Sequence, residues 1–446
     1  MSQKIMFSLL GLLFLTCCSK DKEQIETKLF KSLDAQTTGI DFKNILVEND
    51  SMNYFNYTSI YMGGGVSTGD INNDGLIDIF FTGNQTQNKL FINKGNLQFE
   101  DVTNTAHIGG DSRWYTGSTM ADVNGDGYLD IYCSVAGISK ERRNQLFINN
   151  GDNTFTELGK KYGIDDNANS TQATFFDYDN DGDLDLYIAN YPISNVNTSN
   201  FTYLNRMKTV ADKESDKLFR NDGGTFTNVS EVSGLKSYGF SLGATVGDVN
   251  NDGLQDLYVS SDYSIPDYFY INKGDGTFKE VLKKATDHTA FYGMGIDISD
   301  FNNDGNLDIF QADMDANSNR RQKANMASMN PQVFNEIIFM GFHYQYMHNC
   351  MQLNSGVLEN NIPQFSNISR LTGTSSTDWS WGPLFADFDN DGNKDLFITN
   401  GIRREINNTD FFNTFSKNDK TGFTNLEKPM GNTNHYSCNV WMIKKI

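Results

Sequence analysis

A chain of 446 residues with 39 glycines, six prolines, 33 phenylalanines and 20 tyrosines has apolar side chains for a large core and punctuation for many turns, which excludes a disordered polymer. Its net charge is −20, and no Lys/Arg-rich block follows the extreme N-terminus. The counterion release that drives nucleic-acid binding is therefore missing, and no nucleic-acid partner is expected.

The chain begins MSQKIMFSLLGLLFLTCCSKDKE, with Lys4 ahead of an apolar run over residues 5–15 and then two cysteines. This is too short for a mature membrane span and reads as a secretory segment, residues 1–18, followed by a tether, 19–27. Leu15-Thr16-Cys17-Cys18 resembles a bacterial lipoprotein box. Leu15 stands three before Cys18, whereas Phe14 stands three before Cys17, which favours Cys18 as the lipidated residue. The polar SKDKE resembles tethers that route lipoproteins to the outer surface, so a lipid-anchored, surface-exposed outer-membrane protein is expected; a plain cleaved signal peptide is the alternative. Three cysteines remain, Cys133, Cys350 and Cys438, an odd number far apart, so no disulfide framework is indicated.

From residue 70 onward one motif recurs six times: DINNDGLID at Asp70, DVNGDGYLD at Asp122, DYDNDGDLD at Asp177, DVNNDGLQD at Asp248, DFNNDGNLD at Asp300 and DFDNDGNKD at Asp387. All fit D-x-[DN]-x-D-G-x-x-D, and a β-rich run such as LYIANY or LFITNG follows each. Five repeats carry a second hairpin signal further on: KLFINKGNLQF, QLFINNGDNTF, KLFRNDGGTF, YFYINKGDGTF and the degenerate MQLNSGVLENNIPQF. Asn or Asp beside Gly there suits the positive φ angles of tight turns. One repeat is thus four short antiparallel strands, A to D, with the acidic loop between A and B.

Crowded carboxylates repel unless a cation sits among them. An EF-hand is excluded, because the twelfth positions are Phe81, Cys133, Ile188, Val259, Gln311 and Ile398 rather than Glu. Oxygens at positions 1, 3, 5 and 9 and the carbonyl at 7 can still converge, with glycine at 6 allowing the bend. The predicted ligands are Asp70, Asn72, Asp74, Leu76 and Asp78; Asp122, Asn124, Asp126, Tyr128 and Asp130; Asp177, Asp179, Asp181, Asp183 and Asp185; Asp248, Asn250, Asp252, Leu254 and Asp256; Asp300, Asn302, Asp304, Asn306 and Asp308; Asp387, Asp389, Asp391, Asn393 and Asp395. In the richest loop Asp183 is expected to lend its carbonyl, its side chain adding only negative field. An all-oxygen set without His or Cys points to Ca2+, about six ions, and the alternative is a solvated acidic turn.

Four-stranded units of this kind suit the blades of a β-propeller, giving an all-β fold. The motif G-x-x-x-φ-x-D-φ-[ND]-x-D-G-x-x-D-φ-φ with LFINNGDGTF-like hairpins resembles FG-GAP/VCBS repeats of integrin α-chain propellers, and the bacterial propellers related to cartilage acidic protein that are often coupled to an ASPIC/UnbV domain. The resemblance covers residues 28–415 and implies a seven-bladed calcium-binding propeller. Only six acidic loops are visible, so the expectation is six blades, or six plus an incomplete seventh. KLFKSLDAQTTGIDFKN resembles a C-D hairpin that could complete the last blade, while 416–446 fits no repeat and is expected to be poorly ordered or truncated.

With the acidic loops at one end of the blades, the B-to-C and D-to-A connections fall at the other. Two B-to-C connections are long, 190–216 and 312–347, the second partly helical, and long excursions from a rigid scaffold are where binding resides. The D-to-A entries carry Trp114, Tyr115, Tyr238, Phe291, Tyr292, Trp379 and Trp381. These read either as aromatic platforms for a ligand or as packing between blades. No nucleophile or phosphate motif appears. The expected function is a non-enzymatic, calcium-stabilised surface lipoprotein binding a glycan or protein partner. The alternative is a propeller hydrolase or lyase on polysaccharide or lipid, working from His343 or His348.

Overall fold

The computed structural model describes residues 29–54, 56–138, 141–193, 198–325, 330–403 and 440–443. The expected signal peptide, Cys18, the tether and most of the tail lie outside these residues. The chain divides into residues 1–33 and a second unit, 34–446, to which everything below belongs. Among the described residues no helix is long and apolar enough to cross a membrane.

Each repeat folds as an antiparallel sheet in sequence order. Blade 1 comprises Val66–Gly69, Asp78–Phe81, Lys89–Asn93 and Phe99–Asp101; blade 2, Trp114–Ala121, Asp130–Ala136, Gln145–Asn149 and Phe155–Glu157. Blade 3 comprises Ser170–Phe176, Asp185–Asn190, Lys217–Asn221 and Phe226–Asn228; blade 4, Ser241–Gly247, Asp256–Ser261, Tyr268–Asn272 and Phe278–Glu280. Blade 5 comprises Ile296–Ser299, Asp308–Gln311, Cys350–Glu359 and Ile362–Asn367; blade 6, Ser380–Ala386, Asp395–Asn400 and Val440–Ile443. The A strands of successive blades lie side by side from blade 1 to blade 6. This is the all-β propeller arrangement that the repeat predicts, with six blades among the described residues.

Register is the same in every blade: the residue before the acidic loop faces the loop's ninth-position aspartate, as in Gly69 with Asp78 and Phe176 with Asp185. Alternation along B and C sends apolar side chains to both faces, and the faces meet in clusters between blades. Ile71, Phe80 and Leu90 of blade 1 pack on Tyr115, Ile131 and Phe147 of blade 2. Equivalent clusters join blades 2 and 3, 3 and 4, 4 and 5, and 5 and 6. Near the axis the A strands approach so closely that side chains are excluded: a Cβ on Gly65 would lie 2.5 Å from the Ser118 nitrogen, and one on Gly295 2.2 Å from the Trp381 oxygen.

Two expectations about the ends are corrected. The described part of KLFKSLDAQTTGIDFKN forms no strand; Ala35–Thr38 is one helical turn capped by Asp34, whose side chain accepts the Thr37 N–H. Residues 44–48 instead join the two ends of the repeat array in irregular conformation. Asn44 Nδ2 donates to Asn84 Oδ1 at 2.7 Å and Val47 N–H to Gln85 Oε1 at the B-to-C corner of blade 1. Glu48 and the Leu46 carbonyl meet Arg403, just past strand B of blade 6. Within 416–446, Val440–Ile443 does belong to a repeat: it is antiparallel to Asp395–Asn400 and stands third in blade 6. Its period was invisible because no hairpin signal of the usual kind surrounds it. The long connections are partly helical, with Asn200–Lys208 in blade 3 and Asn319–Asn325 and Pro331–Phe339 in blade 5.

Candidate functional site

The acidic loops share one hydrogen-bond plan. The first aspartate folds the turn around itself: Asp70 accepts the Asp74 and Gly75 N–H groups at 3.0 and 2.7 Å, and the other five loops repeat this. The fifth accepts the N–H of the seventh in all six. Positions 4 and 6 are both left-handed, as in Asn180 at φ 58° and Gly182 at φ 96°, which is why Asn or Gly stands at 4 and Gly at 6.

The ninth aspartate is the anchor of the plan. One oxygen of Asp185 accepts the Tyr178 N–H at 3.0 Å and the other the Asn221 N–H at 2.8 Å. It is fully buried, and burial, reinforced by Asp179 and Asp181 against the opposite pull of those N–H groups, pushes its pKa up to about 7. Asp256 and Asp308 are likewise raised to about 7 and Asp130 to about 6, burial again being the largest cause.

The third position divides the loops. Where it is Asn, as in Asn72, Asn124, Asn250 and Asn302, its amide donates to the fifth-position carboxylate and quiets the repulsion. Where it is Asp that donor is gone. Oxygens of Asp177, Asp179 and Asp185 lie within 4.8 Å of one another, as do those of Asp387, Asp389 and Asp395. Asp179 Oδ1 is buried and accepts no hydrogen bond. An orphaned carboxylate oxygen in an all-oxygen pocket fits a hard divalent cation. The Asp183 side chain has a definite role where only added charge was expected: it accepts the Gly223 N–H at 2.9 Å, tying the loop to the C-D hairpin.

The positive φ angles expected of the C-D turns fall on residues such as Gly95, Asn96, Gly151 and Asn153, while the asparagine ending the C strand in blades 1 to 4, and Asn354 within that of blade 5, act by their side chains. Asn272 accepts the Gly274 N–H, and its amide donates to Gln255 O of its own loop and, at 2.7 Å, to Tyr178 O in the acidic loop of the preceding blade. Asn149, Asn221 and Asn354 reach Ile71 O, Val123 O and Val249 O in the same way. The acidic loops of blades 1 to 4 are thus each clamped to the next blade. A second repeated device was also missed: Asn or Asp just before strand C, namely Asn88, Asn144, Asp216, Asp267 and Asn349, accepts an N–H at the end of strand B. The signal was present, an Asn/Asp two residues ahead of the apolar pair of LF or its equivalent.

At the opposite end, the exits from B and entries to A enclose a cavity of about 260 Å3. It is lined by Tyr191 after strand B of blade 3, Asp262 and Tyr263 after that of blade 4, and Tyr292, Trp379 and Trp381 at entries to blades 5 and 6, with Tyr54 and Tyr61 from the segment before blade 1. Trp379 and Trp381 stack at 6.2 Å, and Trp381 Nε1 donates to Gly401 O at 2.7 Å. Asp262 is 7% exposed; its oxygens accept from Tyr191 OH at 3.0 Å and Tyr263 N–H at 2.8 Å. Burial pushes its carboxyl up to about 7.

Three of the seven expected platform aromatics, Tyr292, Trp379 and Trp381, therefore meet in one cavity. The others pack. Tyr115 and Tyr238 are fully buried, Tyr115 OH donating to Gln145 at 2.5 Å and Tyr238 OH accepting from Arg206 at 3.0 Å. Phe291 is buried against blade 6, and Trp114 packs edge-on against Tyr57 at 5.5 Å while bordering a separate cavity of about 470 Å3. His343 is buried with Nε2 at 3.1 Å from Thr286 Oγ1, and His348 Nδ1 lies 2.8 Å from Asn349 O, so neither points into the aromatic cavity.

The fold and its loops define a β-propeller whose blades each carry an aspartate-rich turn. The chain carries FG-GAP-like repeats, matched at residues 70–133, 135–188, 209–259 and 248–310. Cartilage acidic protein 1 of Xenopus tropicalis is 27% identical over 237 residues, covering 52% of this chain and 34% of that protein; the human protein is 26% identical over 237 residues, covering 52% and 33%. The chain thus spans about a third of the length of these relatives. Among solved structures, an Agrocybe aegerita lectin described as recognising non-reducing terminal N-acetylglucosamine aligns with TM-score 0.43 and 15% identity over 78% of this chain and 80% of that one. The V. cholerae biofilm matrix protein Bap1 aligns with TM-score 0.31 and 12% identity over 59% and 37%.

Proposed function

We propose that this chain is a non-enzymatic binding propeller, stapled by calcium in its acidic loops and held at the outer surface of a bacterial cell by lipid on Cys18, which engages a glycan or protein partner with the opposite face. The observation that carries the reading is the segregation of chemistry. Self-repelling carboxylates lie at one end, built into the joints between blades, while the aromatic cavity lies at the other. The ions are structural: position 1, 3, 5 and 9 oxygens hold each A-B bend, and in blades 1 to 4 the bend holds the neighbouring blade through its strand-C asparagine. The partner presents an end group to the cavity, where aromatic faces supply contact area at small entropic cost.

The test is a glycan-array and surface-protein capture screen in millimolar calcium and in EGTA, repeated with Trp381→Ala. The expected result is a calcium-dependent hit weakened by the substitution. A hit indifferent to Trp381, or turnover of the captured substrate, would overturn the assignment. Cells carrying Cys18→Ser should release the protein from the membrane fraction; retention would exclude the lipid anchor.

A further inference from the structure

The aromatic cavity holds a feature that a surface for neutral ligands does not need. Asp262 is buried in it, and among the described residues no lysine, arginine or histidine lines it. Among the described residues no cationic side chain acts on its carboxyl, whose surroundings are two hydrogen-bond donors and aromatic rings. A buried carboxylate without a counter-charge is costly, and two neutral hydrogen bonds offset only part of that cost. Around it stand Tyr54, Tyr263, Tyr292, Trp379 and Trp381, with Tyr263 and Tyr292 edge to face at 5.6 Å and the two tryptophans stacked. These rings line one space, and a cation that meets an aromatic face there is attracted by the ring's negative π-charge. The remaining lining is dominated by Met62, Leu242, Met294, Met314 and Ile402, which suits alkyl groups rather than a ring of hydroxyls. At about 260 Å3 the space is below the roughly 300–1,000 Å3 of pockets for drug-sized ligands, so it admits a small group.

We infer that the cavity binds an alkylammonium group, the cation seated between the aromatic faces of Tyr263, Tyr292, Trp379 and Trp381 and neutralising Asp262. This rests on the reading of that cavity as the ligand site and names the chemistry of the group that enters it. The same cation can come free or as a substituent of a larger partner.

The test uses the whole chain in millimolar calcium, with tryptophan fluorescence as readout. Tetramethylammonium and choline are titrated against sodium chloride at equal ionic strength, beside 3,3-dimethylbutan-1-ol, the neutral carbon isostere of choline. A saturable change with both cations is expected, at least about tenfold weaker with the isostere. Asp262→Asn and Trp381→Ala should each weaken choline by about tenfold or more, while Trp381→Phe retains most of the affinity. Melts of each variant show whether it is folded, and the three variants perturb different groups, so misfolding of one leaves the others decisive. Equal binding of the isostere, or no saturable response to either cation, overturns the inference. If that happens while Trp381→Ala still abolishes capture of the array partner, the cavity remains the ligand site and only its cation preference falls; loss of both removes the cavity reading itself.

Discussion

Replacing Asn272 with alanine tests whether the blades are joined through their acidic loops. Its side chain is 1% exposed and makes three hydrogen bonds, of which the donation to Tyr178 O at 2.7 Å crosses to blade 3. Each net bond is worth about 0.5–1.5 kcal/mol, and leaving a buried carbonyl such as Tyr178 O unsatisfied adds roughly 1–3 kcal/mol. Three bonds and one orphaned carbonyl together predict a loss of about 2.5–7.5 kcal/mol. Asn93 is the internal control, because it makes the two local bonds, to Ile77 O and from Gly95 N–H, without an interblade one. Its alanine variant should lose only about 1–3 kcal/mol. Urea denaturation in millimolar calcium, with the m-value checked for constancy, reads the difference. Equal losses for the two variants would refute the clamp.

Calcium removal should be visible in the melt. Sites of about 10⁻⁴–10⁻³ M at about 1 mM calcium add roughly 0.4–1.4 kcal/mol each. Six such sites, set against an unfolding entropy that scales with chain length, correspond to a fall of roughly 3–10 °C in EGTA, and an unchanged melt would remove the structural role of the ions. Buried Asp267 gives a pH prediction. Burial pushes its carboxyl up to about 7, although Ser261 N–H, Tyr258 OH and the Gln311 amide favour the ionised form. A raised folded pKa means that its contribution is present below the unfolded value and lost as pH rises through 7. Asp267→Asn should therefore gain stability relative to the natural chain as pH rises from 5 to 7, by up to about 1.4 kcal/mol per unit. A stability difference independent of pH between 5 and 8 would contradict it.

The acidic loops, the four-strand repeat and the ends at which loops and connections fall were all legible in the sequence, because each is encoded within about ten consecutive residues. The Asn272 clamp was not, since its partner Tyr178 is 94 residues away and the residue also fits a hairpin turn. Asp262 was missed for a related reason. It stands in SSDYS after a strand, an unremarkable turn until the ring brings Tyr54, Tyr292 and Trp381 around it from distant points in the chain. The aromatics were found by type, but whether a ring is core or platform depends on the neighbouring blade. Hence Tyr115 and Trp381, read alike, have different fates.

The clamps link the two ends of the molecule. On the proposed calcium reading, a loop without its ion is left with the mutual repulsion of its carboxylates, and in blades 1 to 4 the loop's second-position carbonyl is where the next blade's asparagine is held. The cavity at the far end is assembled from the strand ends of blades 3 to 6 and the segment before blade 1, with no residue from blade 2. Its width therefore depends on the rotation of blades 3 to 6 about one another. Asp252→Ala, in the loop of blade 4, should weaken choline binding several-fold below the melting range, although that loop touches no ligand. Asp126→Ala, in the equivalent loop of blade 2, should lower the melt comparably and leave the affinity nearly unchanged. Equal effects of the two substitutions on affinity would show that calcium acts only on global stability. A selective effect of Asp252→Ala would mean that the ions set the shape of the binding end through the joints between blades.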